Sequence, residues 1–287
     1  MDYGKISIIM GVYNCEKTLA EAIESILAQT YNNWELIMCD DCSTDGTYNV
    51  TKKFAEKFPK RIKILKNEVN SRLAFSLNHC LQYATGEFIA RMDGDDKSLP
   101  DRLEKQIQYL RENPDIDLVG TAMQRFNEKE LADIVKSINH PNYYTLHNAI
   151  PFHHATILAR REVFEQLNGY TVSKRTNRAQ DYDLWFRFYH AGFRGENLQE
   201  ALYLVREDEA AIRRRTAKVR LYGLQTTWIG FKLLGYPWYW LIKPTLITFL
   251  KVLTPYKAVD LLRKLQKAKW EKAVAKKVND ANKREAK

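Results

Sequence analysis

Glycine and proline are sparse in this 287-residue sequence, 12 and 8 in number, which excludes a collagenous or low-complexity chain. Cysteine is sparser still. Cys15, Cys39, Cys42 and Cys80 offer one CxxC spacing, with no second pair or histidines at zinc spacing, so reduced structural thiols are expected rather than a metal knot. No GxxxxGKS/T loop is present to cradle a triphosphate, and no GxGxxG follows a strand to hold a dinucleotide. The start shows no secretory pattern: Met1 to Lys5 lacks an apolar run behind a basic start, and Ile6 to Met10 is too short to be one. These features together predict a folded body in a reducing cytosol.

What is present is 45% hydrophobic and 28% charged, as in an ordinary folded protein, with a formal charge of +10 that is unevenly spread. Residues 243–287 hold 13 Lys or Arg and 4 Asp or Glu, a net of +9; the remaining 32 basic and 31 acidic side chains leave residues 1–242 at +1. A neutral body with a basic tail offers no matching groove for nucleic acid, and the tail suits an anionic surface better.

Short apolar runs alternate with helical patterns through the first half. Strands are predicted at Ile6 to Met10, Trp34 to Met38, Ile62 to Leu65, Phe88 to Met92, Leu118 to Thr121, Ala155 to Leu158 and Leu202 to Val205. Helices are predicted around Leu19 to Leu27, Thr47 to Phe58, Leu73 to Tyr83, Pro100 to Arg111, Arg161 to Leu167 and Tyr182 to Ala191. Gln124 to Pro151 reads as irregular, with short strands or helices. The pattern predicts an α/β fold with a mostly parallel central sheet flanked by helices. The composition changes after residue 222, which divides the chain into residues 1–222 and a basic, aromatic-rich region of residues 223–287.

In such a sheet ligands bind at the carboxyl ends of the strands. Four clusters fall there: Gly11-Val12-Tyr13-Asn14, Asp40 to Gly46, Asn70-Ser71-Arg72, and Asp93-Gly94-Asp95-Asp96. The last packs three carboxylates into four positions. Their mutual repulsion is relieved by a hard divalent cation with phosphate oxygens, whereas the bland alternative is an acidic turn.

The segments ISIIMGVYN (6–14), AIESILAQTYNNWELIMCDDCSTDGT (22–47), LAFSLNHCLQYATGEFIARMDGDD (73–96), PDRLEKQI (100–107) and QDYDLWFRFYHAG (180–192) resemble, in order and spacing, the family-2 inverting glycosyltransferases of GT-A fold. The resemblance covers roughly residues 5–210. It implies a nucleotide-sugar donor, with UDP favoured, and a Mn²⁺ or Mg²⁺ cofactor. It further implies that Gly11 and Tyr13 border the base, Asp41 accepts a hydrogen bond from it, Asp93 lies near the ribose or metal, Asp95 binds the metal, and Asp181 is the catalytic base. Four sites depart from the family pattern. Gly11 stands where Pro or Thr is usual, and Arg72 stands where Gly is usual and is a candidate for reaching base or diphosphate. Gln180-Asp181 replaces Glu-Asp, which leaves Gln180 as an acceptor contact. Arg206-Glu207-Asp208 replaces Arg-x-His, so Asp208 is a candidate metal ligand or part of a solvated acidic turn. His153, His154 and Trp185 are candidates for the acceptor side, each with a packing role as the alternative. A nucleotidyltransferase and a nucleotide-sugar or glycan-binding module without turnover are the rival functions.

Trp228 to Leu253 is aromatic and apolar but is interrupted by Lys232, Lys243, Lys251, Pro237 and Pro244. A spanning helix needs about 20 mainly apolar residues, and one here would set Lys243 near its middle at a cost of about 2.5–3.5 kcal/mol. Short helices lying in the interface fit better, followed by a basic amphipathic helix carrying Ala258, Leu261, Leu262, Leu265 and Ala268. The expectation is a peripheral enzyme on the cytoplasmic side of the cell membrane that acts on a lipid-linked glycan, with a homodimer through the C-terminal helices as an alternative use of that region.

Overall fold

The computed structural model describes residues 3–127, 130–207 and 216–254. Asp208 and the predicted helix from Ala258 lie outside the described residues. The chain divides into two units, Met1–Leu241 and Ile242–Lys287.

In the first unit the strands are β1 (Ile6–Val12), β2 (Trp34–Asp40), β3 (Ile62–Lys66), β4 (Phe88–Arg91), β5 (Lys97–Ser98), β6 (Leu118–Phe126), β7 (Leu131–Val135), β8 (Leu158–Arg160) and β9 (Gly195–Arg206). The helices are α1 (Glu16–Leu27), α2 (Thr47–Lys57), α3 (Arg72–Leu81), α4 (Arg102–Glu112), α5 (Arg161–Gln166), α6 (Gln180–His190) and α7 (Ala217–Leu233). The strands form one sheet in the order β3-β2-β1-β4-β8-β6-β9-β5, with β7 on β6. Its first half, β3-β2-β1-β4, is parallel as the βα alternation predicts. Beyond β4 only β6 and β9 run parallel, while β8, β5 and β7 pair antiparallel to their neighbours.

The period of two along β1 sorts its side chains between two cores. Ile6, Ile8, Met10 and Val12 join Leu19, Ile23 and Ile26 of α1 and Leu103 and Ile107 of α4 on one face. Ile9 meets Leu77 of α3, Phe164 of α5, Trp185 and Phe188 of α6, and Phe231 of α7 on the other. Helices therefore cover both faces, and the loops at the strand ends gather on one rim.

The predicted strand at Ala155 to Leu158 begins later. His154–Thr156 forms a 3-10 turn, because the Thr156 N–H and hydroxyl both bond the His153 carbonyl at 2.9 Å, and β8 starts at Leu158. The strand around Leu118 runs on to Phe126 because β9 continues beside it.

Helix α7 runs through residue 222, where the composition changes. Its Gly230 packs on α6 so closely that a Cβ there would lie 2.1 Å from Phe186 Cδ2. A 3-10 turn at Trp238–Leu241 closes the first unit. In the second unit α8 (Ile242–Leu253) exposes Leu246, Phe249 and Leu250. Among the described residues no helix is long and apolar enough to cross a membrane.

Gly230→Ala should cost about 1–3 kcal/mol through overpacking against the Phe186 ring, read as a lower denaturation midpoint. An unchanged midpoint would contradict the packing of α7 on α6.

Candidate active site

At the end of β2 the buried Asp41 organises the loop that leads into α3. Its Oδ1 accepts from Asn67 Nδ2 and the Ser71 N–H, both at 2.8 Å, and its Oδ2 accepts from the Arg72 N–H at 2.8 Å. These donors use three of a carboxylate's roughly four lone-pair sites. To aim its N–H at Asp41, Arg72 adopts φ +74°, the left-handed region that suits glycine. This gives a physical reason for glycine being usual at that position. Across from it, Gly11 lets α3 approach β1: a Cβ at Gly11 would meet Leu73 Cδ1 at 2.9 Å. Tyr13, at the end of β1, is half exposed on the same rim.

At the end of β4 the carboxylates of Asp93, Asp95 and Asp96 come together, with their nearest oxygens all within 4.8 Å of one another. Asp93 forms a two-pronged ion pair with the buried Arg91, and its N–H donates to the Tyr203 hydroxyl at 3.1 Å. Asp96 is only 3% exposed and accepts the Arg206 N–H at 2.8 Å. Burial, reinforced by Asp93 and Asp95, pushes its carboxyl well above the usual range. A site that raises a carboxyl in this way is short of positive charge, and three hard oxygen ligands fit Mg²⁺ or Mn²⁺. Arg206 secures the loop from β9, donating to the Asp95 carbonyl at 2.9 Å and to Glu21 at 2.8 Å.

Gln180 and Asp181 open α6, and Asp181 Oδ1 accepts the Tyr182 N–H at 2.8 Å. Two residues on, Asp183 faces inward. It binds the Thr171 hydroxyl at 2.6 Å, Arg175 at 2.6 Å and Arg187 at 2.9 Å, which pins the loop of residues 171–179 to the helix. A cavity of about 670 Å³ is lined by Tyr13, Asp41 and Arg72 on one side and by Lys174, Gln180 and Asp181 on the other.

The remaining acceptor-side candidates sit deeper. Trp185 is fully buried, edge-on to Phe152 and Phe188, and so is a core residue rather than a sugar platform. His154 is buried with Nε2 2.9 Å from the Tyr170 hydroxyl. Burial, with Arg91 adding to it, holds the His154 imidazole well below its usual value and therefore neutral. Burial also lowers His153, whose buried Nε2 has no hydrogen-bond partner. Sequence reasoning grouped Asp96 with the acidic run without naming it as a candidate ligand, and it passed over Arg91, the buried counter-ion of Asp93.

Residues 7–168 match the family described as Glycosyl transferase family 2. The chain is 53% identical over 214 residues to EpsE of Bacillus subtilis (strain 168), a proposed glycosyltransferase, covering 74% of this chain and 76% of that one. It is 44% identical over 113 residues to WfgD of Escherichia coli, a UDP-Glc:alpha-D-GlcNAc-diphosphoundecaprenol beta-1,3-glucosyltransferase, covering 39% of this chain and 44% of the relative. In fold it is similar to the mannosyltransferase PcManGT of Pyrobaculum calidifontis, solved with GDP-Man and Mn²⁺. That match has a TM-score of 0.61 and 19% identity, and covers 92% of this chain and 80% of that one.

Asp93→Ala should strip Arg91 of its partner and lower stability by up to about 3 kcal/mol, Asp93 being partly exposed. Asp95→Ala, an exposed carboxylate, should leave the denaturation midpoint unchanged yet weaken Mn²⁺ binding at least about tenfold by calorimetry. Equal Mn²⁺ affinity in Asp95→Ala and parent would remove the cation from this cluster.

Proposed function

The chain belongs to glycosyl transferase family 2 and is a glycosyltransferase, and from that premise we propose that it moves a sugar from a UDP-sugar to a hydroxyl of a lipid-linked glycan, with inversion at the anomeric carbon. The observation that carries this reading is the shared cavity, with Tyr13, Asp41 and Arg72 facing Gln180 and Asp181. In this reading Tyr13 and Arg72 border the base and Asp41 offers it its remaining lone pair. Asp93, Asp95 and Asp96 would hold a divalent cation, which would supply Lewis-acid neutralisation of the departing diphosphate. Asp181 takes the proton of the acceptor hydroxyl as that oxygen attacks the face opposite the leaving group, and Gln180 orients the acceptor. A single displacement then needs no covalent intermediate on the protein. The donor and the lipid-linked acceptor are suggested by the activity named for WfgD.

The same reading sets the enzyme on the cytoplasmic leaflet. Trp228, Trp238 and Tyr239 are half or more exposed, and such rings favour headgroup depth, where the neighbouring basic residues meet anionic lipid. Phe231 and Tyr236 are buried in the second core, so truncation before α7 would open that core.

Two neighbouring aspartates separate chemistry from architecture. Asp181→Asn should retain UDP binding and the parent's stability while transfer falls at least ~10²-fold. Asp183→Asn should mainly lower stability, because two arginines lose their counter-ion. Undiminished transfer by Asp181→Asn would end its role as base. In flotation assays the full chain should rise with anionic but not neutral vesicles, and Trp238→Ser with Tyr239→Ser should reduce recovery; the same recovery with both lipids would contradict the leaflet assignment.

A further inference from the structure

Resting on the leaflet reading, we propose that the lipid-contacting surface extends from the C-terminal aromatics onto the catalytic body, where Tyr143, Tyr144 and Ile150 enter the headgroup layer of an anionic bilayer. A 3-10 turn at Tyr143–His147 carries the two tyrosines. Asn142 starts it with a capping box: its side chain accepts the Tyr144 N–H at 3.0 Å, and the Thr145 hydroxyl accepts the Asn142 N–H at 3.0 Å. The turn is thus ordered without burying its rings. Tyr144 and Ile150 are more than half exposed and Tyr143 is 39% exposed, a cluster of large apolar groups on an ordered segment.

Ring packing joins this turn to the one at Trp238–Leu241. Trp240 stacks on His147 with centroids 4.1 Å apart and meets Tyr144 edge-on at 6.3 Å, while Tyr143 stacks on Tyr236 at 6.2 Å. The two turns therefore form one surface, on which Trp238 and Tyr239 are also exposed.

Charge selects the occupant. Residues 134–161 and 210–259, which supply both turns, contain no Asp or Glu. Glu196 approaches at His140, but it is committed to that imidazole at 2.9 Å and to the Tyr109 hydroxyl. Directly after the second turn the sequence enters the basic region of residues 243–287. Exposed Tyr and Trp rings without carboxylates, leading into basic chain, suit the headgroups of anionic lipid. A neutral glycan would gain nothing from the missing carboxylates, and a second copy would bring the same excess of positive charge. The turn is also fastened to the catalytic helix, because the hydroxyl of Tyr182, the residue after Asp181, donates to the Leu146 carbonyl at 2.6 Å. The lipid-contacting turn and the start of α6 are held as one piece.

The test uses the full-length protein and vesicles of phosphatidylcholine and phosphatidylglycerol in equal parts. Backbone hydrogen–deuterium exchange of residues 142–150 should slow when vesicles are added. Exchange that vesicles leave unchanged would overturn the proposal, as would slowing produced without lipid by a soluble glycan or by raising the protein concentration. At limiting lipid, Tyr143→Ser with Tyr144→Ser should float at least about fivefold less protein, the scale of withdrawing two rings from the interface. Tyr143→Phe with Tyr144→Phe should float like the parent. Equal flotation of the serine variant and the parent would overturn the proposal. The serine variant should raise KM for a vesicle-borne acceptor and leave transfer to a short-chain soluble acceptor unchanged; equal losses on both would show that the turn only supports α6, and would also overturn it. If the full chain floats with no vesicles, the leaflet reading fails and this proposal with it; flotation that needs Trp238 and Tyr239 but not Tyr143 and Tyr144 overturns this proposal alone.

Discussion

The ion pair of the buried Arg91 with Asp93 fixes the point from which the rest of the site is arranged. Arg91 is the last residue of β4, the strand where the parallel half of the sheet meets the mixed half. Burial opposes its charge, but the Asp93 carboxylate beside it outweighs that and holds Arg91 protonated. A guanidinium in that position must keep its carboxylate, so Asp93 is held at the strand end and its N–H is directed to Tyr203. A second buried cation, Arg102, braces the joint from α4 by donating to the carbonyls of Arg91 at 2.9 Å and Ile157 at 3.3 Å. Burial draws Arg102 down to about 10.

The other wall of the site is built on a different principle. Asp41 draws in the backbone N–H groups of Ser71 and Arg72, and Asp183 draws in side chains of the loop before α6. Each is a buried carboxylate that orders a loop by supplying acceptors its own backbone lacks. Asp41 and Asp183 thereby set the two edges of one cavity, and Asp181 takes its position from the helix that Asp183 secures. Thr226 extends this constraint to α7, so the helix leading toward the exposed aromatics is also tied to the loop beside Asp181.

Much of this was legible in the sequence because it rests on local periodicity. The parallel strands β1 to β4 and the carboxylates at their ends follow from apolar runs that alternate with helices, and Asp93, Asp95 and Asp181 were singled out by motif as candidates. The second half of the sheet was harder to read. β8 is three residues long, and β6 and β9 are defined by pairing with each other rather than by their own pattern. His154 and Trp185 looked like acceptor contacts because both types often meet ligands, yet burial is decided by tertiary packing that spacing does not encode. Asp96 was hidden for the converse reason: its inward orientation depends on Arg206 of a distant strand. Arg72 was visible as a departure from glycine, but only its φ shows what that departure demands of the backbone.

Stereochemistry tests the central claim most directly, because a single displacement with Asp181 as base fixes the product's configuration. The measurement is the anomeric configuration, by proton NMR, of the glycan formed from an α-linked UDP-sugar and a lipid-diphosphate-linked acceptor with Mn²⁺. The account predicts a β-linked product. An α-linked product would contradict it, since retention requires either a second displacement or attack from the face that the leaving diphosphate occupies.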